Sequence, residues 1–211
     1  MTNIYEKGIL EDVANYYRET LTTHGASPLG VDWNGVESQE LRFKQLCQVV
    51  SEEKSFSMNE LGCGYGALNS YLRSLGFDYQ YNGFDVCEDM IDIAVKRYGA
   101  DNNASFAVAS TPSEVADYGV ASGIFNVKLN HTAAEWLAYV ENTINTLDQT
   151  SKKGFAFNCL TDYSDKEKMR DYLYYADPGY MFNLCKSRYS RNVALLHDYE
   201  LYEFTVIVRK Y

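Results

Sequence analysis

An apolar strand, a turn with glycine at every second position and a helix follow one another without a break in FSMNELGCGYGALNSYLRSL, residues 56–75. Glycine is needed where a turn requires positive φ or where a Cβ would collide with a neighbour. Gly62, Gly64 and Gly66 therefore mark a place where the backbone comes close to something. A strand that leaves a sheet through such a turn and continues as a helix sets a ligand site at the sheet's carboxyl edge. The glycines alone do not name the ligand. A tight turn would also use them, and the G-x-G-x-x-G/A spacing of nicotinamide and flavin folds is met by Gly62, Gly64 and Ala67.

The rest of the chain repeats the strand-then-helix pattern. Short apolar runs predict strands near 56–61, 79–84, 104–108, 119–125 and 154–160, and helical windows fall near 66–75, 88–98, 112–117 and 132–148. Such alternation implies crossover units and a parallel sheet with helices on both faces. Ahead of it, Ile4, Ile9, Leu10, Val13, Tyr16, Tyr17 and Leu21 lie at helical spacing over 4–22. A loop (HGASPLGVDWNG) and a second helix over 38–51, with Ser38 near its cap, come next. A helical insertion over 165–187 is interrupted at Asp177-Pro178-Gly179. NVALLHDY and LYEFTVIVRKY then stand too close together for a crossover helix and must pair as a hairpin, which adds one antiparallel strand. One α/β domain over 1–211 is expected, with N-terminal helices or lid (1–52), a binding core (53–160), the insertion (161–190) and the hairpin (191–211). Its length suits a single core.

Charge and cysteine usage exclude several classes. A net charge of −10 repels phosphate backbones and anionic headgroups, so neither nucleic acid nor membrane is an expected partner. Lys166, Lys168, Arg170, Lys186, Arg188 and Arg191 form a local basic stretch, which is either a solvated face or a pocket for a substrate carboxylate or phosphate. Cys47, Cys63, Cys87, Cys159 and Cys185 show no C-x-x-C spacing, so no metal is expected. Free thiols and an N-terminus without a signal-peptide pattern suggest a cytoplasmic protein. The 19 tyrosines point to aromatic packing or to aromatic walls near a ligand.

Two acids narrow the ligand. Asp85, 19 residues after Gly66, ends the second strand, where a carboxylate can accept from both ribose hydroxyls. Glu60 stands directly before the turn; an acid there opposes a pyrophosphate but suits a ligand with cationic groups and an amino-acid moiety. NELGCGYG followed by GFDVCEDMIDIA resembles the first two motifs of class I S-adenosylmethionine-dependent methyltransferases, and the resemblance extends over roughly 38–211, including the antiparallel ending. It implies a Rossmann-like, seven-stranded, mostly parallel sheet with an antiparallel C-terminal strand, helices on both faces and an N-terminal helical lid. It also implies that Glu60, Gly62, Cys63, Gly64 and Gly66 line the methionine part of S-adenosyl-L-methionine, that Asp85 holds the ribose, and that Val86 and Met90 sandwich the adenine. The family's polar contact after strand three is replaced here by FAVAST, leaving the Ala109 backbone or Ser110 as substitutes. Arg42, one helix upstream, either pairs with the cofactor carboxylate or is a surface arginine.

Methyl transfer from a sulfonium is one in-line displacement, in which the protein chiefly aligns the two reactants. A hydroxyl or amine acceptor profits from a general base with a pKa near neutrality, so histidines are the first candidates. His131 follows strand four and His197 strand six, both at ends expected to open on the cofactor; His24 lies in the N-terminal loop, and a structural role stays open for each of the three. Asn126, taken as the end of strand four, occupies a position that this fold presents to the transferred methyl. Trp33, Tyr5, Tyr16 and Tyr17 form either an aromatic substrate lid or the packing of the N-terminal helices. The expected acceptor is O or N of a metabolite, sugar or natural-product intermediate, in a monomer or homodimer. A nicotinamide-dependent oxidoreductase and a non-catalytic S-adenosylmethionine-binding regulatory domain stay open as alternatives.

Overall fold

The computed structural model describes residues 4–51 and 53–210, with side chains from residue 7 onward; the sequence expectations for Ile4 and Tyr5 side chains lie outside the described residues. Helix α1 (Ile4–His24) and α2 (Val36–Leu46) precede the sheet. Then come β1 (Ser55–Leu61), α3 (Ala67–Ser74), β2 (Asp78–Asp85), α4 (Glu88–Tyr98), β3 (Ala104–Val108) and β4 (Ala116–Ala121). After them lie α5 (Ala133–Gln149), β5 (Ser151–Leu160), α6 (Pro178–Arg188), β6 (Asn192–Leu196) and β7 (Glu203–Arg209). The seven strands lie in the order β3-β2-β1-β4-β5-β7-β6, and β7 runs antiparallel to both neighbours. The expected mostly parallel sheet with its antiparallel ending is what forms.

Alternation along each strand divides the core. Phe56 and Met58 of β1, Tyr81 of β2, Tyr118 and Val120 of β4 and Ala156 of β5 pack with Phe43, Leu46, Leu68, Leu72 and Ile91 of α2, α3 and α4. Leu61, Ala121, Phe155 and Phe157 point the other way, onto Trp136, Val140, Ile144 and Leu147 of α5 and Met181 and Cys185 of α6. Helix α1 crosses the carboxyl edge, where Ala14 and Leu21 join Tyr65, Cys87 and Met90. Strand order reverses between β1 and β4, and both strands leave the sheet under this helix.

Four elements differ from the sequence expectations. No helix forms over 112–117. Ser57 donates its N–H and Oγ–H to Asp117 Oδ2, both at 2.9 Å, and Asp117 N–H returns to Ser57 Oγ at 2.8 Å, which draws 116–118 into the sheet beside β1. Strand β4 therefore begins and ends early, and 122–125, read as strand, is a turn through Gly123 at φ 75°. In the insertion only a short 3-10 turn (Lys166–Lys168) precedes α6, and Asp177-Pro178-Gly179 starts that helix instead of interrupting it: Asp177 Oδ1 accepts from Gly179 and Tyr180 N–H at 2.7 and 3.1 Å. Helix α2 opens at Gly35, with Ser38 Oγ–H bonded to Gly35 O.

Joining an antiparallel strand to the parallel sheet leaves no room at Gly154, where a Cβ would lie 2.5 Å from Val208 O and 3.2 Å from Val49 Cγ2. Gly154→Ala is expected to destabilise the fold by about 1–3 kcal/mol. A thermal melt by circular dichroism would show a Tm lowered by several degrees; an unchanged Tm would mean that the β5–β7 seam is compliant.

Candidate functional site

Under α1, the carboxyl ends of β3, β2, β1 and β4 stand side by side, and a cavity opens over them, with about 1040 Å³ of free space when the solvent at its mouth is included. Each strand end supplies part of the wall. Ala109 and Ser110 come from β3, Asp85 and Val86 from β2, and Glu60 with Gly62, Cys63 and Gly64 from β1. Met90 of α4 and Tyr17 and Trp33 from the N-terminal segment close it. These eleven sequence candidates are brought together in one place.

Hydrogen bonds fix the turn. Gly62 and Cys63 N–H both reach Phe84 O at 2.7 and 3.1 Å, tying the exit of β1 to that of β2. Gly64 N–H donates to Asp85 Oδ2 at 2.8 Å and Cys87 N–H to Oδ1 at 2.9 Å, so backbone donors orient both carboxylate oxygens. Burial raises the Asp85 pKa, and these backbone bonds counter part of the rise. Glu60 is 2% exposed, and Tyr81 O–H donates to its Oε2. Burial pushes the Glu60 pKa up to about 8; the Tyr81 bond lowers it and the nearby Asp85 charge raises it. Among the lining residues these two are the carboxyl groups, and the lining holds no Lys, Arg or His.

Other candidates lie elsewhere. Gly66 caps α3 at φ 83°, and a Cβ there would meet Tyr98 at 2.9 Å and Phe106 at 3.1 Å; its glycine serves the turn and the packing below it rather than the cavity. Arg42 is neither at a cofactor carboxylate nor on the surface. It is buried, and its guanidinium grips Glu203, with Nη2 to Oε1 at 2.7 Å. Asn126 is a buried structural residue beyond the end of β4, its Oδ1 accepting from Leu160 N–H at 3.1 Å. His131 faces Asp12 of α1 at 3.1 Å. His197 is exposed beside Tyr163 and Phe204, and His24 ends α1 on the surface. Tyr16 lies outside the lining and donates to Asp32 Oδ2 at 2.7 Å. The basic stretch is a solvated face: Lys168 pairs with Asp165 and Arg188 with Glu141, away from the cavity.

Several wall residues escaped the sequence reading. Gln39 accepts from Tyr65 O–H at 3.2 Å; both line the cavity, as do Thr143 and Thr146 of α5. The spacing of the two threonines merges with the apolar stripe of their helix and gave no separate signal. Ser122 stands at the true exit of β4, and its buried Oγ has no hydrogen-bond partner. Misplacing the end of that strand by four residues directed attention to Asn126 instead.

Comparison with known proteins agrees with this geometry. Residues 59–157 match the family model described as "Methyltransferase domain". The Rv1506c protein of Mycobacterium tuberculosis (strain ATCC 25618 / H37Rv), provisionally named a methyltransferase, is 54% identical over 163 residues, covering 77% of this chain and 98% of its own. Among solved structures, a DhpI–SAH complex superposes with a TM-score of 0.68 at 16% identity, over 96% of this chain and 97% of that one. The N-methyltransferase NodS of Bradyrhizobium japonicum WM9, solved with S-adenosyl-L-homocysteine, gives a TM-score of 0.65 at 14% identity over 93% and 97%. At these identities the two structures establish the fold alone.

A carboxyl raised from its ordinary 4.5 to about 8 contributes stability that is complete below the lower value and is lost as pH rises through the higher one. Glu60→Gln is therefore expected to melt increasingly above the wild type as pH rises across that window, by a few degrees at its upper end. Parallel pH dependences of Tm for the two proteins would show that Glu60 ionises freely in the ligand-free fold.

Proposed function

The chain belongs to the class I S-adenosylmethionine-dependent methyltransferases of the small-molecule type, and from that premise we propose that it methylates O or N of an uncharged or cationic metabolite, sugar or natural-product intermediate. The observation that carries this reading is the wall itself: a buried acid and a half-buried one, an unpartnered serine hydroxyl and apolar or aromatic surface, without a cation. An anionic acceptor entering such a cavity would lose its hydration without gaining a counter-charge.

The residues present fit S-adenosyl-L-methionine. Asp85 offers oriented lone pairs to a vicinal diol, Val86 and Met90 offer apolar surface for a base, and Gly62 and Gly64 leave the approach to β1 clear of side chains. Glu60 would supply negative charge to a cationic amino-acid moiety, whose approach favours the ionised carboxyl. The cofactor's chemistry is an activated methyl group on a sulfonium. For the protein there remain alignment, water exclusion by α1 and Trp33, and binding of the acceptor beside Ser122. With His131 and His197 away from the cavity, the acceptor's own lone pair is the nucleophile, which favours an amine or an acidic hydroxyl. Five unpaired cysteines support a reducing, cytoplasmic setting.

Asp85→Ala is expected to weaken S-adenosylhomocysteine binding roughly a hundredfold by calorimetry, through loss of a charge-assisted pair of hydrogen bonds. A methyl-transfer screen of metabolite pools, read by mass as the gain of one methylene unit, should be silent with this variant and productive with the wild type. Turnover unaffected by the substitution would end the proposed ribose contact; products only from anionic acceptors would end the proposed substrate class. A linked test uses charge. Because the cofactor is a sulfonium cation and its product a neutral thioether, wild-type preference for S-adenosylmethionine over S-adenosylhomocysteine should increase as pH rises through about 8 and Glu60 ionises. In Glu60→Gln the preference should not change with pH.

A further inference from the structure

We propose that Arg42 and Glu203 are positioning residues that hold Trp33 and the turn Ser122–Ile124 as the wall at the β4 end of the cavity, where a group on the sulfonium and the acceptor would meet. The inference rests on the cofactor reading above and deepens it.

The contacts form a closed circuit across five chain segments. Arg42 of α2 donates from Nε to Glu203 Oε1 and Oε2 at 3.0 and 2.9 Å and from Nη2 to Oε1 at 2.7 Å; its Nη1 reaches Ser38 O at 2.7 Å. Glu203 Oε2, at the start of β7, also accepts from Asn158 Nδ2 of β5 at 2.9 Å. Asn158 Oδ1 accepts from Gly123 N–H, beyond β4, at 2.7 Å. The circuit closes through packing. The guanidinium carbon lies 3.9 Å from the Trp33 ring centroid, and a Cβ on Gly123 would stand 2.3 Å from Trp33 Cζ2. The indole is thus gripped between a cation and a bare backbone, and Trp33 lines the cavity.

Its place in the cavity follows from strand order. A nucleoside bound across the ends of β3, β2 and β1 leaves the exit of β4 as the remaining space, and Ser122 and Ile124 flank Gly123 there. Ile124 also fills the position that a Cβ on Gly62 would take, at 2.0 Å, so the turn and the glycine loop are mutually fitted.

Energetics favour a geometric role. The side chains of Arg42 and Glu203 are 9% and 1% exposed. An ion pair so buried gives up most of its Coulomb energy to desolvation, and apolar residues of similar volume often do as well for stability. What apolar residues do not reproduce is direction: a planar fork that meets a carboxylate edge-on and presents its face to an indole.

The test uses two probes that need no acceptor. In Arg42→Met/Glu203→Leu the fold should persist, since the pair is replaced by apolar volume. S-Adenosylethionine, the ethyl homologue of the donor, is expected to bind the wild type roughly tenfold more weakly than S-adenosylmethionine, as an extra methylene against a fixed apolar wall should. In the variant that ratio should fall toward one, with S-adenosylmethionine affinity little changed. Acrylamide quenching of Trp33 should rise, measured against Trp33→Phe, which leaves Trp136 as the chain's other tryptophan, fully buried and bonded to Phe125 O. A folded variant with wild-type selectivity and wild-type quenching overturns the proposal, as does equal weakening of both nucleosides with unchanged quenching. Should the double variant not fold, Arg42→Lys, which keeps the charge and loses the stacking plane, decides by the same two readouts. If the wild type binds neither nucleoside, the cofactor reading fails, while the quenching comparison still decides whether Arg42 and Glu203 hold Trp33.

Discussion

Everything at the carboxyl edge is built around the bond from Gly64 N–H to Asp85 Oδ2. It fastens the turn after β1 to the acid ending β2, and the paired donation of Gly62 and Cys63 N–H to Phe84 O makes the same connection one step earlier. Two strand exits become one rigid surface. The acid that would receive a ribose is thereby oriented before any ligand arrives, and pre-organisation of this kind lowers the ordering cost of binding. Without it, the glycines would give a flexible loop rather than a wall.

That surface holds charge at a cost. Glu60 and Asp85 both lie where burial disfavours the carboxylate. The nearby Asp85 charge raises the Glu60 pKa further. Tyr81 offsets part of the cost at Glu60 with one hydrogen bond, made from below the cavity floor. The ligand-free protein is accordingly strained electrostatically in the direction that a cation relieves. This distinguishes the site from one shaped for a pyrophosphate, where the same two acids would repel the ligand and basic or neutral donors would be needed instead.

The donor half of the cavity was legible in the sequence because its rules are local. Gly62, Gly64, Glu60 and Asp85 occupy positions that one strand-turn-helix and the next strand end determine, within a stretch of under thirty residues. Even there Gly66 was assigned to the ligand when Tyr98 and Phe106 need its missing side chain, because a neighbour brought by tertiary packing has no trace in local spacing. The helix expected over 112–117 failed for a similar reason: Ser57 and Asp117 meet across two strands, and their bonds outweigh the local pattern. His197 directly follows β6 but carries its ring to Tyr163, and His131, ten residues beyond the end of β4, turns to Asp12.

The other half of the cavity depends on pairings no window could reveal. Arg42 and Glu203 are 161 positions apart, and Asn158 joins them from a third element. An arginine one helix before a glycine loop invites assignment to a ligand carboxylate. The competing partner appears only once β7 is inserted between β5 and β6, which brings Glu203 to the face where α2 packs. The antiparallel ending thus does more than complete the sheet. By delivering an acid to the buried side of α2, it pairs the Arg42 guanidinium outside the lining, and Trp33 and Ser122 stand in the wall instead. The same strand that marks the fold therefore also keeps the Arg42 guanidinium out of the cavity lining.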